Sequence, residues 1–298
     1  MKVLETERLT LRWFDEGDAA FILALVNDPD WLTNIGDRNV HSLDDARRFI
    51  ADRLAASYWD KGHGLWAMER REDGALVGMC GLIDRDTLPE IDVGYALAPA
   101  FRRQGYAREA ASACLAYARD VLARPRVLAI VSPANAPSRA LLESLGMRVE
   151  DTAPETVRYT WSPDRAPPDD IEALVRRFFA AFSNRGKLAT IAAVPSMFVR
   201  GAMVTITAPL SLMDVRTFLA PRAVLLQSGA LVDFEEEATI RELSIHGDLA
   251  SVFVDYRSAG RREGAPFEAG GTKHFQIVQT PRGPRIASLA WSPAPPSS

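Results

Sequence analysis

Two cysteines and four histidines are all that 298 residues provide. Cys80 and Cys114 belong to no CxxC motif and no Cys/His cluster, which argues against a disulfide framework or a zinc centre, and no metal is expected. There is no uncharged apolar run of membrane-spanning length, and the opening MKVLETERLTLRWF lacks the apolar core of a signal peptide. A cytoplasmic protein with no membrane partner is the expectation. Neither sign of charge dominates, with 35 Lys and Arg against 39 Asp and Glu and a net charge of −4. That balance argues against a dedicated nucleic-acid partner.

What is present has the ordinary make-up of a globular protein, 47% hydrophobic and 25% charged, and the length suffices for two cores. The stretch LETERLTLRWF alternates as a half-buried strand, and two amphipathic helices follow, the second capped by Ser42 and closed by Gly62. GLWAMERR, ALVGMCGLID and EIDVGYAL read as strands. A helix to about Ala123, the strand RVLAIVS, the short helix in NAPSRALLESLGM and a closing hairpin to Trp161 complete an α/β domain on a mixed sheet. The proline-rich SPDRAPPDD then marks a boundary, giving a first domain over 1–162, a linker over 163–168 and a second domain over 169–298. The second domain opens on the helix DDIEALVRRFFAAFSNRG and continues into two long hairpins, turning at Gly247 and Asp248 and at PRG, so an α+β fold is expected.

The helix that starts within APAFRRQGYAREAASACLAYARD has no ordinary beginning. Arg103, Gln104, Gly105 and Tyr106 stand where Ser, Thr, Asp or Asn would satisfy the first-turn amides. Two answers stay open from the residues themselves: water, or an anion drawn by the pointed N–H groups, the helix dipole and the close approach that Gly105 permits.

Three motifs in order make residues 1 to about 162 resemble the GNAT acetyltransferase superfamily, in its RimJ/RimL-like branch. ETERLTLR is similar to that branch's first strand, RRQGYA puts Arg102, Gly105 and Ala107 at the coenzyme-binding pattern, and NAPSRALLESLGM puts Asn135, Ser138 and Gly146 at the second signature, with Met147 where an aromatic is usual. The resemblance implies acetyl-coenzyme A as cosubstrate. Its pyrophosphate would lie on the amides of Gln104, Gly105, Tyr106 and Ala107, with charge from Arg102 or Arg103, and its pantetheine arm beside Asn135 and Ser138.

Acetyl transfer to an amine needs a group that removes the amine's proton, a polarised thioester carbonyl and a proton for the thiolate. The resemblance aligns Asp92 with the family's strand carboxylate. Glu90, expected on the same face, could share that role, although both would equally pass for solvated acids near a hairpin end. A backbone N–H near Leu97 would polarise the carbonyl. Leu142 occupies the position of the family's frequent tyrosine acid, which leaves Ser138 as a possible relay or water as the proton source. Trp31, Asp37, Arg38 and Trp66 are the candidates for the acceptor pocket, with Asp84 and Asp86 drawing in a cationic amine, either a protein N-terminus or a small molecule. His41 and His63 receive no role.

Residues 169–298 resemble the nuclear transport factor 2-like, or SnoaL-like, family, which implies a cone of antiparallel strands. His274, Asp255 and Trp291 could face its cavity, but no spacing compels an acid–base pair. IASLAW and SVFVDYR place apolar and aromatic residues on both sides of the sheet, so this domain is expected to form a homodimer. The main expectation is an N-acetyltransferase with an accessory dimerisation or ligand-binding domain. Its rivals are a noncatalytic coenzyme A-binding sensor or scaffold, and an enzyme whose main activity lies in the second domain.

Overall fold

The computed structural model describes residues 1–163 and 170–294, in two compact units, Lys2–Pro167 and Pro168–Ser298. The stretch read as a linker lies, after its first residue, outside the described residues.

In the first unit β1 (Lys2–Glu5) and β2 (Leu9–Arg12) lead into α1 (Ala19–Val26), α2 (Pro29–Asn34), α3 (Leu43–Phe49) and α4 (Ala56–Lys61). β3 (Leu65–Arg70), β4 (Leu76–Ile83) and β5 (Asp92–Leu97) precede α5 (Tyr106–Asp120) and β6 (Val127–Val131). α6 (Ala136–Ser144), β7 (Arg148–Ala153) and β8 (Thr156–Trp161) complete the unit. One sheet runs β1-β2-β3-β4-β5-β6-β8-β7, antiparallel throughout except between β5 and β6. β2 is buried on both faces rather than half-buried: Leu9 and Leu11 are fully enclosed, and Thr10 between them is only 5% exposed. α5 lies against β2, β4 and β5 and brings Cys114 to Cys80, with their sulfurs 3.6 Å apart and both thiols free.

The Ser42 hydroxyl accepts from the Asp45 amide to start α3, and a π turn over Ile50–Ala55 joins α3 to α4. Gly62 ends α4 at φ 68°, a left-handed value that suits glycine. The chain then drives His63 into the core, where Nδ1–H donates to the Leu82 carbonyl at 3.1 Å. Burial pushes the His63 imidazole down to about 4, so it is neutral in the folded protein at neutral pH.

In the second unit α7 (Ile171–Ala180), β9 (Phe198–Thr207), β10 (Leu210–Asp214) and α8 (Val215–Gln227) precede the long strands. These are β11 (Leu231–His246), β12 (Leu249–Arg262), β13 (Ala265–Thr280) and β14 (Gly283–Pro293). The sheet order is β10-β9-β14-β13-β12-β11. The register pairs Val252 with Phe275 and Phe275 with Leu289, building an inner apolar face on which Phe178 of α7 meets Phe275 edge-on at 5.2 Å. Strand alternation turns the intervening residues outward. That outer face is not apolar as expected. It carries Ser251, Asp255, Thr272, Gln276 and Ser288, and its Phe253 is already stacked on His274 at 4.1 Å. His274 and Asp255 therefore face away from the packed interior, while Trp291 faces into it. A two-fold contact through the outer face would have to be largely polar.

No helix among the described residues is long and apolar enough to cross a membrane.

Between pH 6.5 and 4 the unfolded chain protonates His63 and the folded chain does not, so stability from this residue is complete above pH 6.5 and falls on acidification. Lowering the pH from 7 to 5 should remove about 2 kcal/mol through this group. Urea unfolding across that range should show a shallower acid loss for His63→Asn than for the parent, and equal slopes would refute the assignment.

Candidate active site

The site is built around β5. The Ala98 amide donates to the Val77 carbonyl at 3.0 Å, which fixes the parity of the antiparallel ladder: Ala96 and Gly94 bond to β4, while Val93, Tyr95 and Leu97 turn their N–H and C=O groups the other way. On that other side stands β6, yet the two strands share only the Asp92↔Leu128 pairing, and β6 is matched along its length by β8. Beyond Asp92 the two strands part, so the N–H groups of Tyr95 and Leu97 face a gap in the sheet. The Leu97 carbonyl, pointing the same way, accepts from Arg102 Nε at 3.2 Å.

Arg102 was a candidate charge for a bound pyrophosphate. Its guanidinium is held by Asp30 at 2.6 Å and by Asp28, both from α2 and its cap, so two carboxylates already neutralise it. Arg103 (φ 60°) and Gly105 (φ 85°) carry the chain into α5 through left-handed backbone, and no side chain caps that helix. The first-turn amides of Tyr106, Ala107 and Arg108 therefore have no capping acceptor among the described residues. Gln104 turns its side chain back to the Ala100 carbonyl.

Arg8, which sequence reasoning passed over, packs over the Tyr106 ring, donates to the Gln104 carbonyl at 3.0 Å and pairs with Glu109 at 2.7 Å. The signal was present in ETERLTLR, where alternation sets Arg8 beside the strand's buried leucines. Arg103 and Arg108 are exposed and form no ion pair among the described residues. A cleft of about 580 Å³ runs beside this helix start, lined by Arg8, Gly105, Arg108, Ser112 and Ser144.

Across the gap, Asn135 caps α6 by accepting from the Ser138 amide at 3.2 Å. The Ser138 hydroxyl lies 2.8 Å from the Tyr95 hydroxyl. Tyr95 was not singled out from sequence; its pairing with Cys80 places it on the α5 side of the sheet, and burial pushes its phenol up to about 12. Leu142 is buried, as a packing residue would be.

Asp92 is 1% exposed and accepts from Arg85 Nε at 2.8 Å through Oδ1. Burial nevertheless raises its pKa, outweighing the pull of Arg85. Glu90 does not share a strand face with it, because β5 begins at Asp92 and Glu90 lies in the preceding bend, half-buried and without an ion pair among the described residues.

The candidates for the acceptor pocket divide. Trp66 is fully enclosed against Tyr117, with ring centroids 5.3 Å apart, and Trp31 is buried with Nε1 donating to the Gly36 carbonyl. Both are packing residues, and neither lines an open pocket. Asp37 and Arg38 are exposed on the loop after α2. Partial burial, with Arg85 and Arg53 nearby, lowers the Arg38 pKa, so positive charge gathers on this side. Asp84, expected to attract a cationic amine, instead lies 3.8 Å from Lys61, while Asp86 is exposed.

The mixed sheet thus parts beside an uncapped helix, and the comparisons with known proteins identify the family. The acetyltransferase (GNAT) domain matches residues 8–148. YoaA of Bacillus subtilis, an uncharacterized N-acetyltransferase, is 32% identical over 151 residues, which cover 50% of this chain and 84% of that protein. The uncharacterized protein YkkB of the same organism is 29% identical over 161 residues, covering 50% and 87%. The crystal structure of an acetyltransferase from Agrobacterium tumefaciens is similar at 28% identity and a TM-score of 0.48, covering 55% of this chain and 95% of that one. The chain belongs to the GNAT acetyltransferase family through its first unit. It is an acyltransferase, of a family that takes its acyl group from acetyl-coenzyme A. The second unit lies beyond the family match.

Because Arg102 ties α2 to the end of β5, Arg102→Ala should cost roughly 1–3 kcal/mol of stability, whereas Arg103→Ala should cost under about 0.5 kcal/mol. Thermal unfolding of the two variants side by side checks this, and equal losses would refute the distinction.

Proposed function

We propose that the first unit transfers the acetyl group of acetyl-coenzyme A to a primary amine. The parting of β5 from β6, opposite the uncapped start of α5, is the observation that carries this reading. The pyrophosphate rests on the amides from Gln104 to Ala107, with Arg103 and Arg108, not Arg102, supplying the charge. The pantetheine arm passes through the gap beside Asn135 and Ser138 and meets the β5 amides that lack a ladder partner. The Leu97 N–H then polarises the thioester carbonyl, which gains negative charge as the amine attacks.

Asp92 takes the amine's proton. Its Oδ1 is engaged by Arg85, and its raised pKa makes it a better base than a solvated aspartate. Glu90, at the mouth of the same segment, is the second carboxylate on the proton's way out. Tyr95, held protonated and linked to Ser138, supplies a proton toward the departing thiolate, a role that Leu142 cannot fill. Arg38 and Asp37 meet the acceptor. The similarity of ETERLTLR to the RimJ/RimL-like branch supports a protein N-terminus or a small-molecule amine. The leading helix α7 and the long antiparallel strands β11–β14 support a nuclear transport factor 2-like reading of the second unit, as an accessory domain.

Release of the coenzyme A thiol across a panel of amines tests the activity, and no release with any amine would leave a sensor in its place. Gly105→Val forces a branched side chain into left-handed backbone 3.3 Å from Arg8 Nη2 and should raise the dissociation constant for coenzyme A about tenfold or more, as read by calorimetry. Asp92→Asn should lower turnover about a hundredfold while leaving coenzyme affinity within about twofold, with Glu90→Gln acting less. Equal loss of coenzyme affinity in Asp92→Asn would make that residue structural.

A further inference from the structure

Asp92 is the first residue of β5, and the ladder pairs it with Ile83, the last of β4. The connection between the two strands therefore begins and ends beside it. Arg85 stands two residues beyond Ile83, and the chain turns there, with the Leu88 amide donating to the Arg85 carbonyl at 3.1 Å. Lys61 of α4 pins the start of this connection, its Nζ donating to the Asp84 carbonyl at 3.0 Å. So held, Arg85 brings Nε to 2.8 Å from Asp92 Oδ1. The carboxylate is buried, whereas the arginine side chain is 34% exposed and keeps part of its hydration.

Two opposed effects act on a buried aspartate. Loss of water drives it toward the neutral acid, and a neutral acid takes no proton from an amine. A cation in hydrogen-bond contact draws it back toward the charged form by about one to three pH units. Asp92 feels both. Burial raises its pKa most, Arg85 opposes this by charge and by hydrogen bond, Asp84 adds to the rise, and the aspartate's own amide lowers it. Lys61 is no substitute for Arg85, because it is engaged with Asp84. Further out, Arg38 from the loop after α2 is near enough to Arg85 for the two charges to repel, and Arg53 of the π turn acts on Arg38 in the same sense.

We propose that Arg85 is the positioning residue of acetyl transfer: its guanidinium restrains the Asp92 carboxylate and supplies the positive charge against which a buried aspartate stays ionised, an inference that rests on Asp92 being the proton acceptor of the proposed reaction. Burial makes Asp92 a stronger base than a solvated aspartate, and Arg85 keeps that base in its charged form at neutral pH.

NMR titration of isotope-labelled aspartate carboxyls in the full chain reads the pair directly, with the Asp92 resonance identified by its loss in Asp92→Asn. In the parent this carboxyl should be ionised at pH 7. In Arg85→Gln its midpoint should rise by about one to three pH units, and Arg85→Lys, which returns the charge, should bring it at least halfway back. The acid limb of kcat, followed by thiol release at saturating amine, should move upward by the same amount, with coenzyme A affinity within about twofold of the parent. A residue that only braced the connection would lower kcat at every pH and leave the limb in place. An unmoved midpoint in Arg85→Gln overturns the proposal. A moved midpoint with an unmoved limb overturns Asp92 as the base, and this role of Arg85 with it. No thiol release with any amine overturns the transfer itself, whatever the titration shows. If Arg85→Gln does not fold, the parent and Arg85→Lys decide, and an Asp92 carboxyl that is neutral at pH 7 in either overturns the proposal.

Discussion

Everything at the first site depends on β5 and β6 parting after one pairing. A sheet ordinarily closes such a gap, because each buried backbone donor left without an acceptor costs about 1–3 kcal/mol. Here closure is blocked from both ends. β6 is saturated by β8 on its far side, and β5 is held where it is by Arg102 on the Leu97 carbonyl and by the Tyr95 hydroxyl on Ser138. The open amides are thus sustained by contacts that lie outside the ladder. Their unmet hydrogen-bonding capacity becomes affinity for whatever extended chain enters, in the way an edge strand recruits a partner.

Much of this was legible in the sequence because it is local. The missing cap before Tyr106, the alternation along β5, the Ser42 cap and the Gly62 stop each depend on a few neighbouring residues. Failures came where a side chain's destination is set by distant chain. The partners of Arg102 could not be read beside it, because Asp28 and Asp30 arrive on a helix far upstream. Trp66, a pocket candidate whose place on an alternating strand already favoured the core, is covered by Tyr117 of α5, a partner that nothing in GLWAM shows. Glu90 was given a strand face because periodicity does not mark where a ladder begins; pairing does, and it begins at Asp92.

The second unit reverses the lesson. Its outer face was misjudged from apolar content, although parity alone would have sorted it: Lys273, Phe275 and Ile277 share one side of β13, and His274 and Gln276 share the other. A lysine in register with core residues was the visible mark of the buried pair it forms with Glu236. Apolar content measures how much a strand can bury, whereas parity says which groups must be paired once it does.

Arg102 also has a mechanical meaning. By gripping Asp28 and Asp30 with one end of its guanidinium and the Leu97 carbonyl with the other, it makes α2 and the end of β5 parts of one lever. A displacement of either is felt by the other through a single rigid plane of atoms. For ligands bound at its two ends, whatever factor the first applied to the second's binding through this lever, the second would return to the first in equal measure.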